Sequence, residues 1–154
     1  MKACYNRLGR LLDHLQSPLL LAMRLYWGWQ FFITGRGKFG RMEEVAGFFQ
    51  NLHIPFPFVS ATLAATTECF GGLLLMVGLA SRLVSIPLAF TMVVAYATAH
   101  REALVNLLSD PDTWMKQPPF LFLLTVLIVM AFGPGAFSLD GLIAKLTRRR
   151  TTNS

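Results

Sequence analysis

The sequence predicts an all-α membrane protein: a four-transmembrane-helix bundle, with a short interfacial amphipathic helix after the first span and an amphipathic helix at the C-terminus. Three observations carry that prediction. Hydrophobic residues fill 54% of the 154 positions and charged residues only 14%, too few to keep a soluble domain of this size dispersed. Four apolar windows, Pro18–Thr34, Phe58–Ala80, Leu83–Ala99 and Pro119–Phe132, approach the length an α-helix needs to cross about 30 Å of hydrocarbon. Lysine and arginine are also divided unevenly between the segments that join these windows.

Residues 1–17 form an N-terminal segment expected on the cytoplasmic side. Ser17-Pro18, Pro57 and Pro118-Pro119 carry helix-start chemistry, since proline at the first helical position lacks only an N–H that would stand unpaired anyway. Cleavage of the first window as a signal peptide is disfavoured. Arg24 interrupts its apolar core, and "FFITGRGKF" offers no small-x-small site. After this span, Met42, Val45, Phe49 and Leu52 recur at helical spacing and predict an amphipathic helix on the outer surface, a lid in preference to a gate.

Pro87, one turn into the third window, is expected to tilt that helix without ending it. The fourth window is short by itself, and Gly133-Pro134-Gly135 stops it. Ser138 or Asp140 then caps a last helix whose Leu142, Ile143 and Leu146 face lipid. The membrane domain accordingly covers 18–146. Residues 147–154 form a basic, flexible tail suited to an anionic inner leaflet.

Orientation follows from the basic residues. Lys2, Arg7, Arg10, Arg82, Lys145, Arg148, Arg149 and Arg150 fall on one side. Arg36, Lys38, Arg41, Arg101 and Lys116 fall on the other, offset by Glu43, Glu44, Glu102, Asp110 and Asp112. Both termini are therefore expected in the cytoplasm. The net charge of +6 reads as topology and lipid contact, not as nucleic-acid binding.

The candidate site rests on charges inside the spans. Glu68 shares a helix face with Ala61, Ala64, Ala65, Gly71, Gly72 and Leu75. Small residues on one stripe let another backbone approach, so Glu68 points into the bundle. Arg24 heads a face that continues through Gly28 and Gly35, with Gln30 to one side. Two readings stay open: Arg24 and Glu68 neutralise each other and fix helix register, or they belong to a functional site. Side chains lean toward the N-terminus of their helix. Arg24 should therefore lean toward the cytoplasm and Glu68, on an antiparallel helix, toward the outside.

On that outer side lie Lys38, His53, and Tyr96 with His100 four residues later on one face. Singly, such residues anchor helices at the headgroups. As a convergent set they form a half-buried proton-handling site, in which Glu68 and His100 are the candidate catalytic residues and Arg24, Lys38, Gln30 and Tyr96 the candidate ligand-binding residues. No metal site is expected. There is no H-E-x-x-H, no Gly-rich phosphate loop and no localised Ser–His–Asp arrangement. Cys4 and Cys69 are far apart with no C-x-x-C, and Cys69 is read as a packing residue.

Several stretches together resemble the DoxX family of small four-helix membrane proteins. They are "MRLYWGWQFFITGRGKF", "HIPFPF", "TECFGGLLLMVGLASR", the His100 that ends the third span, and "GPGAFSLDGLI". The likeness runs from about residue 18 to residue 145 and implies a multi-pass protein of the bacterial inner membrane. The family is named after relatives of thiosulfate:quinone oxidoreductase subunits, and other members are linked to thiol and oxidative-stress redox complexes. Arg24, Lys38, Glu68, Arg82 and His100 match its polar positions, although Arg82 reads here as a topology determinant.

Two principal functions follow as expectations. One is a quinone-associated oxidoreductase subunit, its electrons supplied by a bound donor or a redox partner protein, since the chain has no metal or flavin motif. The other is a non-catalytic accessory or scaffold protein that binds a partner. A solute carrier is less favoured, because four helices leave little room unless the protein forms a homo-oligomer.

Overall fold

The structure is a computed structural model that describes the backbone of residues 2–106 and 109–152 and the side chains of 15–106 and 109–146. The terminal charges Lys2, Arg7, Arg10, Arg148, Arg149 and Arg150, and Cys4, lie outside the described side chains. Among the described residues every regular element is a helix. In chain order these are α1 (Lys2–Phe39), α2 (Met42–Asn51), α3 (Pro57–Val77), α4 (Ser81–Thr98), α5 (Arg101–Val105), α6 (Pro111–Met115), α7 (Pro119–Phe132) and α8 (Leu139–Thr152).

Four of them pack side by side: α1 lies along α3, α3 along α4, α4 along α7, and α7 touches α1. Two, α3 and α4, are long and apolar enough to cross a membrane. α7 is equally apolar but has 14 residues, a rise of about 21 Å. The expected first window lies within the 38 residues of α1.

The close approach of α1 and α3 follows directly from their glycines. A β-carbon at Gly72 would stand 2.6 Å from the Gly28 carbonyl oxygen, and one at Gly35 would stand 2.8 Å from that of Ala65 and collide with the Cys69 amide. Only backbone-on-backbone contact fits there. Between the helices lies an apolar cluster of Phe31, Leu75, Leu88, Met92, Val126 and Val129. The outward faces are also apolar, with Leu83 70% and Phe90 68% exposed, while Arg24, Glu68, Ser81, Ser85 and Thr125 are buried. Greasy outside and partly polar inside is the arrangement that lipid favours and water penalises.

Pro57 and Pro119 begin their helices as expected, and Pro87 sits inside an uninterrupted α4. Pro18 behaves differently. It lies inside α1, so Ser17-Pro18 does not start a helix. An internal proline removes one backbone bond and bends a helix without necessarily ending it. α3 ends at Gly78, whose φ of 76° forms the left-handed cap that glycine adopts without penalty. The amphipathic segment is helical as expected and packs on α3 as α2. α8 continues through Thr152, so helical backbone extends into the segment expected as a tail.

Candidate functional site

The buried charges divide into two clusters on α1, 14 residues apart, or about 21 Å along the axis. Gly35 faces Cys69, so Glu68 sits about one turn from Lys38 and three turns from Arg24. Direction then decides the partner. Each side chain leans toward its own N-terminus, which sends Lys38 and Glu68 toward each other and Arg24 away. Lys38 Nζ donates to Glu68 Oε1 at 2.5 Å. The Glu68 side chain is 3% exposed and that of Lys38 24%. Glu68 Oε2 is buried with no hydrogen-bond partner among the described residues. The expected alternative of an Arg24–Glu68 pair does not occur.

Arg24 instead holds the segment after α7. Its guanidinium donates to the carbonyl oxygens of Pro134 and, at 2.7 Å, Phe137. A β-carbon at Gly78 would stand 2.5 Å from Arg24 Nη1, so this glycine also makes room for the ion. Asp140 lies close enough to contribute a stabilising charge. Its main contacts are elsewhere: Oδ1 accepts from the Ala80 amide at 2.8 Å and Oδ2 from the Ser81 amide at 3.0 Å. It therefore caps α4 from 60 residues away and steadies Ala80, whose φ of 48° is costly for a side chain with a β-carbon. The cap of α8 is Ser138, whose Oγ accepts from the Gly141 amide at 3.0 Å.

The other candidates stand apart from Glu68. The Tyr96 hydroxyl donates to the Trp114 carbonyl at 3.0 Å, and the two rings stack at 5.7 Å. The His100 ring is 6.2 Å from that of Tyr96 and lines an open depression with Arg101, Glu102, Asn106, Thr113 and Gln117. Gly71 faces Leu88, which sets Glu68 about level with residue 91. His100 is therefore about 13 Å farther along α4 by helix rise.

Gln30 is half-buried; its carbonyl accepts the Thr34 hydroxyl at 2.7 Å. His53 is exposed in the turn between α2 and α3. Arg82 is exposed at the end of α7, where its Nη2 donates to the Ala131 carbonyl at 3.4 Å. Cys69 is a half-buried free thiol. No group of three or more His, Cys, Asp or Glu residues is placed to hold a metal ion among the described residues.

Sequence reasoning missed Trp114, the Pro134 and Phe137 carbonyls, and the reach of Asp140 to α4. The "GPGAFSLD" stretch signalled a helix stop and a cap. Nothing in its residue types pointed to Arg24 or to Ala80.

The DoxX family description matches residues 19–101, more than half of the chain. The chain belongs to the DoxX family. It is 31% identical to CatD of Bacillus subtilis, named provisionally as an oxidoreductase, over 81% of this chain and 87% of that one. Membrane protein Rv3486 of Mycobacterium tuberculosis is 29% identical over 88% of each chain. A Haemophilus influenzae protein named only as uncharacterised is 28% identical over 82% of this chain and 84% of its own. No solved structure matches the chain significantly. DoxX membership and the apolar exterior together make this an integral membrane protein associated with the lipid bilayer.

Proposed function

We propose that this DoxX protein is a redox-linked, quinone-associated subunit of the bacterial inner membrane, and that the Lys38–Glu68 pair is its working site. In this reading α1, α3, α4 and α7 are four spans, both termini are cytoplasmic, and the Lys38 end of the molecule faces outward. The observation that carries the proposal is the Glu68 carboxylate: one oxygen is held by Lys38, and the other is buried with no partner among the described residues. A structural ion pair gains most when its remaining lone pairs are satisfied. An unsatisfied buried oxygen beside a partly exposed lysine is better suited to receive a proton or a hydroxyl donor. The provisional name of CatD supports a redox role by likeness.

Lys38 and Glu68 would orient a quinone head and exchange protons with it. Electrons would come from a bound donor or a partner protein. Arg24, tied to two carbonyls at the other end, has a positioning role for the bundle. His100, with Tyr96 beside it, would serve the outer surface.

The second reading, a non-catalytic scaffold, is favoured by Arg24 itself, a buried charge whose bonds are structural. Quinone retained through purification in mild detergent separates the two. The redox reading predicts stoichiometric quinone in the wild type and its loss from an equally folded Glu68→Gln variant. Absence of quinone from both would overturn it in favour of the scaffold.

A further inference from the structure

The surroundings of Glu68 differ toward the two ends of the molecule. Toward Arg24 the way is closed by Phe31, Leu75, Leu88, Val126 and Val129, each 0% exposed. Beyond this plug, the Arg24 guanidinium fastens the segment after α7 across the end of α3. Toward Lys38 the cover is a charged side chain that reaches water. The Lys38 side chain, whose ammonium covers Glu68 Oε1, is itself 24% exposed, in the last turn of α1. Its stem carries four methylenes and can swing the charge into water.

We infer that the Lys38–Glu68 pair is a one-sided proton port, in which Glu68 exchanges protons only with the aqueous phase at the Lys38 end and Lys38 is the movable gate. An acid in that phase, hydronium or buffer, gives a proton to the Glu68 carboxylate, forming one O–H bond and leaving its conjugate base outside. The neutral carboxyl releases the Lys38 ammonium to water, and the reverse step restores the pair.

Other titratable groups do not offer a competing path. α7 carries none between Pro119 and Phe132. On α4 the nearest is Tyr96, whose hydroxyl is occupied by the Trp114 carbonyl. Glu43 and Glu44 of α2 are exposed.

The port rests on the reading of Glu68 as a working carboxylate, but its test needs no quinone. Dicyclohexylcarbodiimide is lipid-soluble and adds to protonated carboxyls, so it reports protonation from within the membrane. The full chain is reconstituted in vesicles with a scored orientation, a pH difference is imposed across the bilayer, and the Glu68 adduct is counted by mass spectrometry. Glu68→Gln serves as the blank. We expect labelling to rise several-fold when the Lys38 side is acidified and to ignore the pH of the other side. Lys38→Met, which removes the counter-charge, should label at neutral pH with no acidification. Labelling that follows the Arg24 side, follows both sides equally, or never occurs in the wild type would overturn the port. Loss of labelling with quinone retained would sink the port alone, and labelling without quinone would sink the quinone reading alone.

Discussion

Arg24 shows how much a single residue's chemistry constrains its role. A guanidinium is a planar fork with several donors, and here it meets two carbonyls, of Pro134 and Phe137, three residues apart. Lysine carries the same charge as a point on a flexible stem. Arg24→Lys should therefore lose one of the two bonds and lower stability by about 2 kcal/mol, read as a fall in the unfolding midpoint in detergent. An unchanged midpoint would mean that the carbonyls add nothing. The sequence already held the reason why Arg24 and Glu68 part company, because antiparallel helices send N-terminally leaning side chains in opposite directions. It did not hold Arg24's partners. They are backbone carbonyls, which every residue owns and no residue type advertises.

For the elements, the glycines divide by what surrounds them. Gly35 faces the α3 backbone, whereas a β-carbon at Gly37, two residues on, would meet nothing within 4 Å. Gly35→Ala should force α1 and α3 apart and cost about 3 kcal/mol. Gly37→Ala should gain up to about 1 kcal/mol from helix propensity alone. Thermal unfolding of both variants checks the contrast, and equal effects would contradict the packing. The small-residue stripe on α3 was legible as an interhelical face, and the proline starts of α3 and α7 were legible as well. Pro18 was not, because the rule that lets proline begin a helix does not say when a helix continues through it. The short helices α5 and α6 were missed because five residues are too few to display a period. The distant cap was missed for another reason. Asp140 looked like a local cap, and only the folded chain brings it to Ala80 and Ser81.

At the scale of the whole molecule, the buried charges among the described residues form two separate clusters joined by an apolar middle. The Arg24 end is a fastening, in which Arg24, Asp140 and Ser138 hold the segment after α7 against the junction of α3 and α4. The Lys38 end has one carboxylate oxygen without a partner among the described residues and one partly exposed lysine side chain. Composition made the membrane class legible, and a carboxylate within an apolar helix marked the candidate site. What composition withheld was the grouping. Six candidate residues read as one pocket, yet His100 lies about 13 Å beyond the Glu68 level by helix rise and Arg24 about 16 Å on the other side.

The central claim is that Glu68 answers to Lys38 and not to Arg24. Double-mutant cycles on unfolding free energy in detergent test it most directly, comparing Lys38→Met with Glu68→Gln and Arg24→Gln with Glu68→Gln. A coupling of about 1–3 kcal/mol is expected for the first pair and additivity within about 0.5 kcal/mol for the second. Strong coupling of Arg24 to Glu68, with Lys38 additive, would contradict it.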